Sequence, residues 1–62
     1  MKFRAVLYGV DNLDRPKQIY GITSESLEPW AIQILDSLKP EQRTKAYVRI
    51  EEQRWEPVRE MV

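Results

Sequence analysis

The sequence predicts an α+β fold in two layers, with one helix packed on a small, mainly antiparallel sheet of three to four strands in the order β-β-α-β-β. Residues 26–38 have apolar side chains at helical spacing. Residues 2–8 are rich in the aromatic and β-branched side chains typical of strands, and residues 45–51 alternate, as half-buried strands do. Because the helical stripe and the sheet face both need cover, we expect them to pack against each other within one domain, residues 1–62.

The helix is the strongest local prediction. Its apolar stripe falls at offsets 0, 3, 4, 7, 8 and 11, and consists of Leu27, Trp30, Ala31, Ile34, Leu35 and Leu38. Ser26 is the predicted N-cap, with Ser24 as the alternative, and Pro29 then lies in the first turn, where it removes no hydrogen bond. Pro40 predicts that the helix ends at about Leu38, before a polar connector at residues 40–44.

Two large side chains of the helix have alternative interpretations. Trp30 lies within the stripe, which favours core packing over a role in binding. Ile32 lies off the stripe and is expected at the surface, or in an extra contact with a partner chain.

Two strands are predicted before the helix, joined by a polar loop at residues 9–17. The first, residues 2–8, has one face predicted to enter the core, namely Phe3, Ala5 and Leu7. The second, residues 18–23, is expected to run antiparallel to it. Gly21 indicates a bulge or a close backbone approach there, so only Ile22 and one of Ile19 or Tyr20 are assigned to the core.

After the helix, residues 45–51 predict a strand whose inward side chains are Ala46, Val48 and Ile50. The tail has two interpretations: a fourth strand within residues 54–61, or a fraying continuation of the third. We favour the fourth strand because its apolar residues, Trp55, Val58 and Met61, otherwise cover nothing. Pro57 would restrict that strand to an edge or a bulge.

The composition argues against catalysis. The chain has no histidine and no cysteine, and so lacks the commonest general base, the commonest metal ligand and any thiolate zinc site. Its two glycines cannot form a glycine-rich phosphate loop. Asp11 and Asp14 could together hold a hard cation, but their spacing is more typical of a turn. We therefore expect a non-enzymatic protein without a cofactor or a metal.

Ten basic and ten acidic residues give a formal net charge of zero. No apolar stretch approaches the ~20 residues of a membrane span, and the N-terminal stretch does not match a signal peptide. We therefore expect a cytoplasmic protein with no membrane contact. Its small size and lack of motifs are also typical of chains encoded by phages and mobile elements, an expectation that rests on size alone.

The predicted outer face of the sheet, opposite the helix, is the one surface that suggests a function. Aromatic and basic side chains alternate there, and the candidate partner-binding residues are Arg4, Val6, Tyr8, Tyr20, Tyr47 and Arg49. We expect a protein partner, either a second copy in a homodimer or a larger protein, bound through this face or through a sheet edge. The alternative is nucleic acid, since aromatic rings stack on bases while cations neutralise phosphates.

Overall fold

The computed structural model describes residues 2–11 and 13–62 and confirms the predicted α+β fold. Four strands form one antiparallel sheet in the order β2-β1-β3-β4. The strands are β1 (Phe3–Tyr8), β2 (Gln18–Gly21), β3 (Tyr47–Glu52) and β4 (Glu56–Met61). A 3-10 turn (Glu25–Leu27) leads into the main helix, α1 (Glu28–Asp36), and a one-turn helix, α2 (Pro40–Arg43), follows it. The described residues of the predicted 9–17 loop lie outside helices and strands, and residue 12 lies outside the described residues.

The core lies between the helical segment and the inner face of the sheet. All the inward side chains predicted for β1 and β3 contact it, and so does the stripe of α1. Its buried members are Ala5, Leu7, Val10, Leu27, Ala31, Ile34, Leu35, Leu38, Ala46, Val48 and Ile50. Trp30 is partly buried against this cluster, as predicted, while Ile32 is exposed.

The start of the helix differs from the prediction. Ser26 lies inside the 3-10 turn and does not cap α1, whose N-cap position is Leu27. The hydroxyl of Thr23 accepts a hydrogen bond from the Ser26 N–H at 3.2 Å, and the Ser26 hydroxyl donates to the Thr23 carbonyl at 2.7 Å. Thr23 therefore accepts from an N–H of the 3-10 turn, whereas Ser26 was expected to accept from an N–H in the first turn of the helix. The alternative cap, Ser24, takes the N-cap position of the 3-10 turn without a side-chain hydrogen bond. Pro29 lies in the first turn, as predicted.

The connector predicted at residues 40–44 contains the short helix α2. Pro40 is the first residue of this helix, because its fixed φ suits the first helical position. The preceding helix α1 already ends at Asp36, two residues before its predicted end. The side chain of Gln42 accepts a hydrogen bond from the Lys39 N–H at 3.0 Å and so caps this turn.

The assignment of Ile22 to the core is wrong, since the side chain is 76% exposed. Strand β2 ends at Gly21, which pairs with Phe3 at the start of β1, and Ile19 takes the inner-face position instead. Of the two explanations for Gly21, close approach is confirmed. A Cβ there would lie 2.8 Å from the Leu27 side chain, and the β1–β2 register is regular.

The fourth strand is confirmed, at the sheet edge, but its apolar residues do not all enter the core. Its register with β3 shifts between Ile50 and Glu51, next to Pro57, so the proline lies both at an edge and at a bulge. Met61 packs against the core, whereas Val58 is exposed. Trp55 precedes the strand, in the turn, so its predicted place within the fourth strand is wrong.

Candidate functional site

The outer face of the sheet is organised in rows set by strand register. Arg4 on β1 lies opposite Tyr20 on β2 and Glu51 on β3. In the next row, Val6 on β1 lies between Gln18 on β2 and Arg49 on β3. Glu60 on β4 pairs with Arg49 and completes this row. Tyr8 and Tyr47 pair in the last row. The sheet therefore brings all six predicted partner-binding residues onto one face, where Val6 is buried and the other five are half-buried or exposed.

Glu51 is the centre of this face and the residue that sequence analysis undervalued. Its side chain is only 2% exposed, although it lies on the face away from the helix. The Arg4 Nε donates to Glu51 Oε1 at 2.5 Å, and the Tyr8 hydroxyl donates to Oε2 at 3.2 Å. The Arg49 guanidinium lies 3.7 Å from Oε2. One buried carboxylate thus connects three of the candidate residues through charge-assisted contacts.

Aromatic rings cover both arginines. The Arg4 guanidinium lies 4.0 Å from the ring centre of Trp55, and that of Arg49 lies 5.1 Å from Tyr8. The Tyr8 and Tyr47 rings stack with centroids 5.4 Å apart. These distances are typical of cation–π and offset aromatic pairs. Packing and charge therefore hold these long side chains from two sides within the chain itself.

Charges on this face are largely compensated. Arg4 and Arg49 share Glu51, and the Arg49 Nε also lies 3.4 Å from Glu60. The buried Nε of Arg49 has no hydrogen-bond partner in the part of the chain that the structure describes. The hydrogen bond that Arg4 donates to Glu51 raises the pKa of Arg4, although desolvation opposes it.

The helix side is neutralised in the same way. Arg59 of β4 contacts Glu28 at 2.6 Å, and Arg43 of α2 contacts Asp36 at 3.2 Å. These acidic residues of the helix are therefore paired with arginines, as Glu51 and Glu60 are on the outer face of the sheet. A face with paired cations offers phosphates little uncompensated charge.

Tyr8 provides a pH-dependent test of this network. Burial, and then the nearby negative charge of Glu51, raise the pKa of the phenol above its ordinary value of 10.0. The folded chain therefore holds this proton more tightly than the unfolded chain. The resulting stabilisation is complete below pH 10 and is lost as the pH rises through the higher folded pKa.

We expect the free energy of unfolding, measured by urea titration, to fall less steeply above pH 10 in Tyr8→Phe than in the parent chain. Equal slopes would contradict the contact with Glu51.

Trp55 is the second residue that sequence analysis missed. It was predicted to lie within the fourth strand, but it lies in the turn before that strand, with its ring over Arg4 on the outer face and 5.8 Å from Tyr20. The backbone of Arg54 and Trp55 is left-handed, and no glycine or Asn-Gly pair in the sequence indicated such a turn. Glu51 was visible as an outward position of β3, and its burial follows only from the three side chains around it.

The two sheet edges are poor templates for another strand. Edge strand β2 has only four residues, and β4 contains a proline, a bulge and alternating charges. Short length, proline, bulges and charge are the features by which edge strands resist pairing. The outer face is therefore a better candidate surface than either edge.

Other sites offer less. A shallow cavity of about 450 Å³ lies beside the β3–β4 turn and is lined mainly by polar and charged residues, among them Glu52, Arg54 and Glu56. Within residues 2–11 and 13–62, no three acidic side chains converge on a point that could hold a metal ion. No helix in the described ranges is long and apolar enough to cross a membrane.

In comparisons with known proteins, no family model, curated protein or solved structure matches this chain.

Proposed function

We propose that this chain is a non-enzymatic protein-interaction module that binds a second copy of itself through the outer face of its sheet. The observation that supports it is the ordered layer of aromatic and arginine side chains around Glu51. Tyrosine, tryptophan and arginine are enriched among residues that dominate binding energy at protein interfaces.

Pre-organisation favours binding by this face. Ordering a long side chain at an interface costs free energy, and side chains already held in place avoid much of that cost. Arg4 is held between Glu51 and Trp55, and Tyr8 between Glu51 and Tyr47. A partner would therefore bind to side chains that are already held nearly fixed.

A second copy is the favoured partner because the face contains both signs of charge. Arg49 and Glu60 are neighbours on this face, so neither sign of charge dominates it and a second copy is not repelled. A net charge of zero adds no long-range repulsion between copies. Dimerisation would also enlarge the small core of a 62-residue chain that has no disulfide.

Self-association can be measured by sedimentation equilibrium between micromolar and hundreds of micromolar chain. We expect the mass to rise from 7.4 kDa towards twice that value. Tyr20→Glu places a charge on the outer face and should raise the dissociation constant at least ~10-fold, a loss of about 1.4 kcal/mol. Ile32→Glu is the matched control, since Ile32 is similarly exposed but lies on the helix. This variant should change the dissociation constant less than ~2-fold.

A 7.4 kDa species at every concentration would contradict the proposal, as would equal effects of the two variants. The nucleic-acid alternative is tested on the same samples with a labelled single-stranded oligonucleotide. Binding that weakens with salt and with Arg49→Ala, in a chain that stays monomeric, would favour that alternative instead.

A further inference from the structure

The turn between β3 and β4 has an unusual backbone. Arg54 and Trp55 follow each other with φ of 71° and 61°, both in the left-handed region. Bulky side chains rarely adopt this region, because the Cβ approaches the following carbonyl oxygen. The turn is closed by a hydrogen bond of 2.5 Å from the Trp55 N–H to the Glu52 carbonyl. Such strain concentrates at sites where an unusual geometry serves a function.

The strained turn directs the indole onto the outer face. The ring covers the Arg4 guanidinium and contacts Tyr20, yet Trp55 remains 37% exposed. Core packing does not explain this position, since Trp55 is absent from the core and from the residues packed against it. The turn therefore keeps a large aromatic side chain ordered and partly open to solvent.

We infer that Trp55 is the anchor of the self-association surface, packing against the Tyr8–Tyr47 stack of the second copy; this rests on the proposed function. Trp55 lies by the row of Arg4, and the tyrosine stack lies at the other end of β1. A two-fold axis that lies between the two faces and runs across the strands places each end over the opposite end of the other copy. The flat tyrosine pair then offers the indole an aromatic surface of complementary shape.

A single-tryptophan chain tests this inference. Trp30→Phe leaves Trp55 as the only tryptophan and keeps an aromatic ring at the partly buried Trp30 position. We expect the emission of Trp55 to shift to shorter wavelength, and its quenching by acrylamide to fall at least ~2-fold, over the concentrations at which the mass doubles. In the matched chain Trp55→Phe, the emission of Trp30 should stay constant, because Trp30 packs on the other side of the sheet.

The outcomes separate the two proposals. A dimer in which Trp55 stays as accessible as in the monomer would overturn the role of Trp55 and leave the proposed function standing. A chain that never dimerises would overturn both. As a second measurement, Trp55→Ala should raise the dissociation constant at least ~10-fold and Val58→Ala, at an exposed apolar residue of the nearby edge strand, less than ~2-fold. Circular dichroism should confirm that both variants are folded. Equal increases in the dissociation constant for the two variants would also overturn the role of Trp55.

Discussion

Replacing Glu51 with alanine is expected to lower the free energy of unfolding by about 3 kcal/mol. The substitution removes a buried carboxylate and leaves Arg4, Arg49 and Tyr8 without their common partner. The two arginines are partly exposed and can be rehydrated, which keeps the loss at the low end for a broken buried pair. A domain of this size has a total stability of only about 3–9 kcal/mol, so the loss would be about a third of that stability or more.

Urea titration of two further variants isolates the cause. Glu51→Gln keeps the shape and an acceptor oxygen but removes the charge, and should lie between the parent chain and Glu51→Ala. Glu56→Ala makes the same truncation at an exposed position and should change stability by less than about 0.5 kcal/mol. If Glu51→Ala were as mild as Glu56→Ala, the carboxylate would not be the centre of the face.

Replacing Gly9 with alanine should also cost about 3 kcal/mol or more. Gly9 has φ of 86°, and a Cβ there would lie 2.1 Å from the backbone carbonyl oxygen of Lys45. The new methyl group would strain the left-handed backbone and also push β1 away from the start of β3. Because Gly9 directly follows the Tyr8–Tyr47 pair, the same shift would disturb the tyrosine stack.

Gly21→Ala is the control for this prediction. Its Cβ would also lie close to neighbouring atoms, at 2.8 Å, but these belong to the side chains of Leu27 and Ser26. Side chains move more readily than backbone, so this variant should be the milder one. Thermal unfolding should show a fall in the midpoint of about 12–24 °C for Gly9→Ala. A smaller fall for Gly9→Ala than for Gly21→Ala would contradict the packing described between β1 and β3.

Hydrophobic periodicity was sufficient to predict the helix layer and the sheet layer of this fold. The stripe from Leu27 to Leu38 and the alternation around Val48 each have a single interpretation, because only one face of each element is apolar. Ends and turns were less predictable. Thr23 replaced Ser26 at the helix start, Pro40 began a second helix, and neither outcome is encoded in hydrophobic spacing.

The candidate face was predictable only in part. Strand alternation placed Arg4, Tyr8, Tyr47 and Arg49 on one side, and the register of the sheet confirms that they share it. The burial of Glu51 depends on long-range contacts with side chains up to 47 positions away, which no local pattern contains. Trp55 reached the face through a left-handed turn without glycine, against the usual residue preferences for such turns.

The most direct test of the proposed function is a concentration series of ¹H–¹⁵N correlation spectra from micromolar to hundreds of micromolar chain. The proposal predicts that the signals of β1, β3 and the Trp55 indole N–H shift with concentration. Signals from the exposed side of α1, including Ile32, should stay fixed. Spectra that do not change with concentration, or changes confined to the helix, would contradict it.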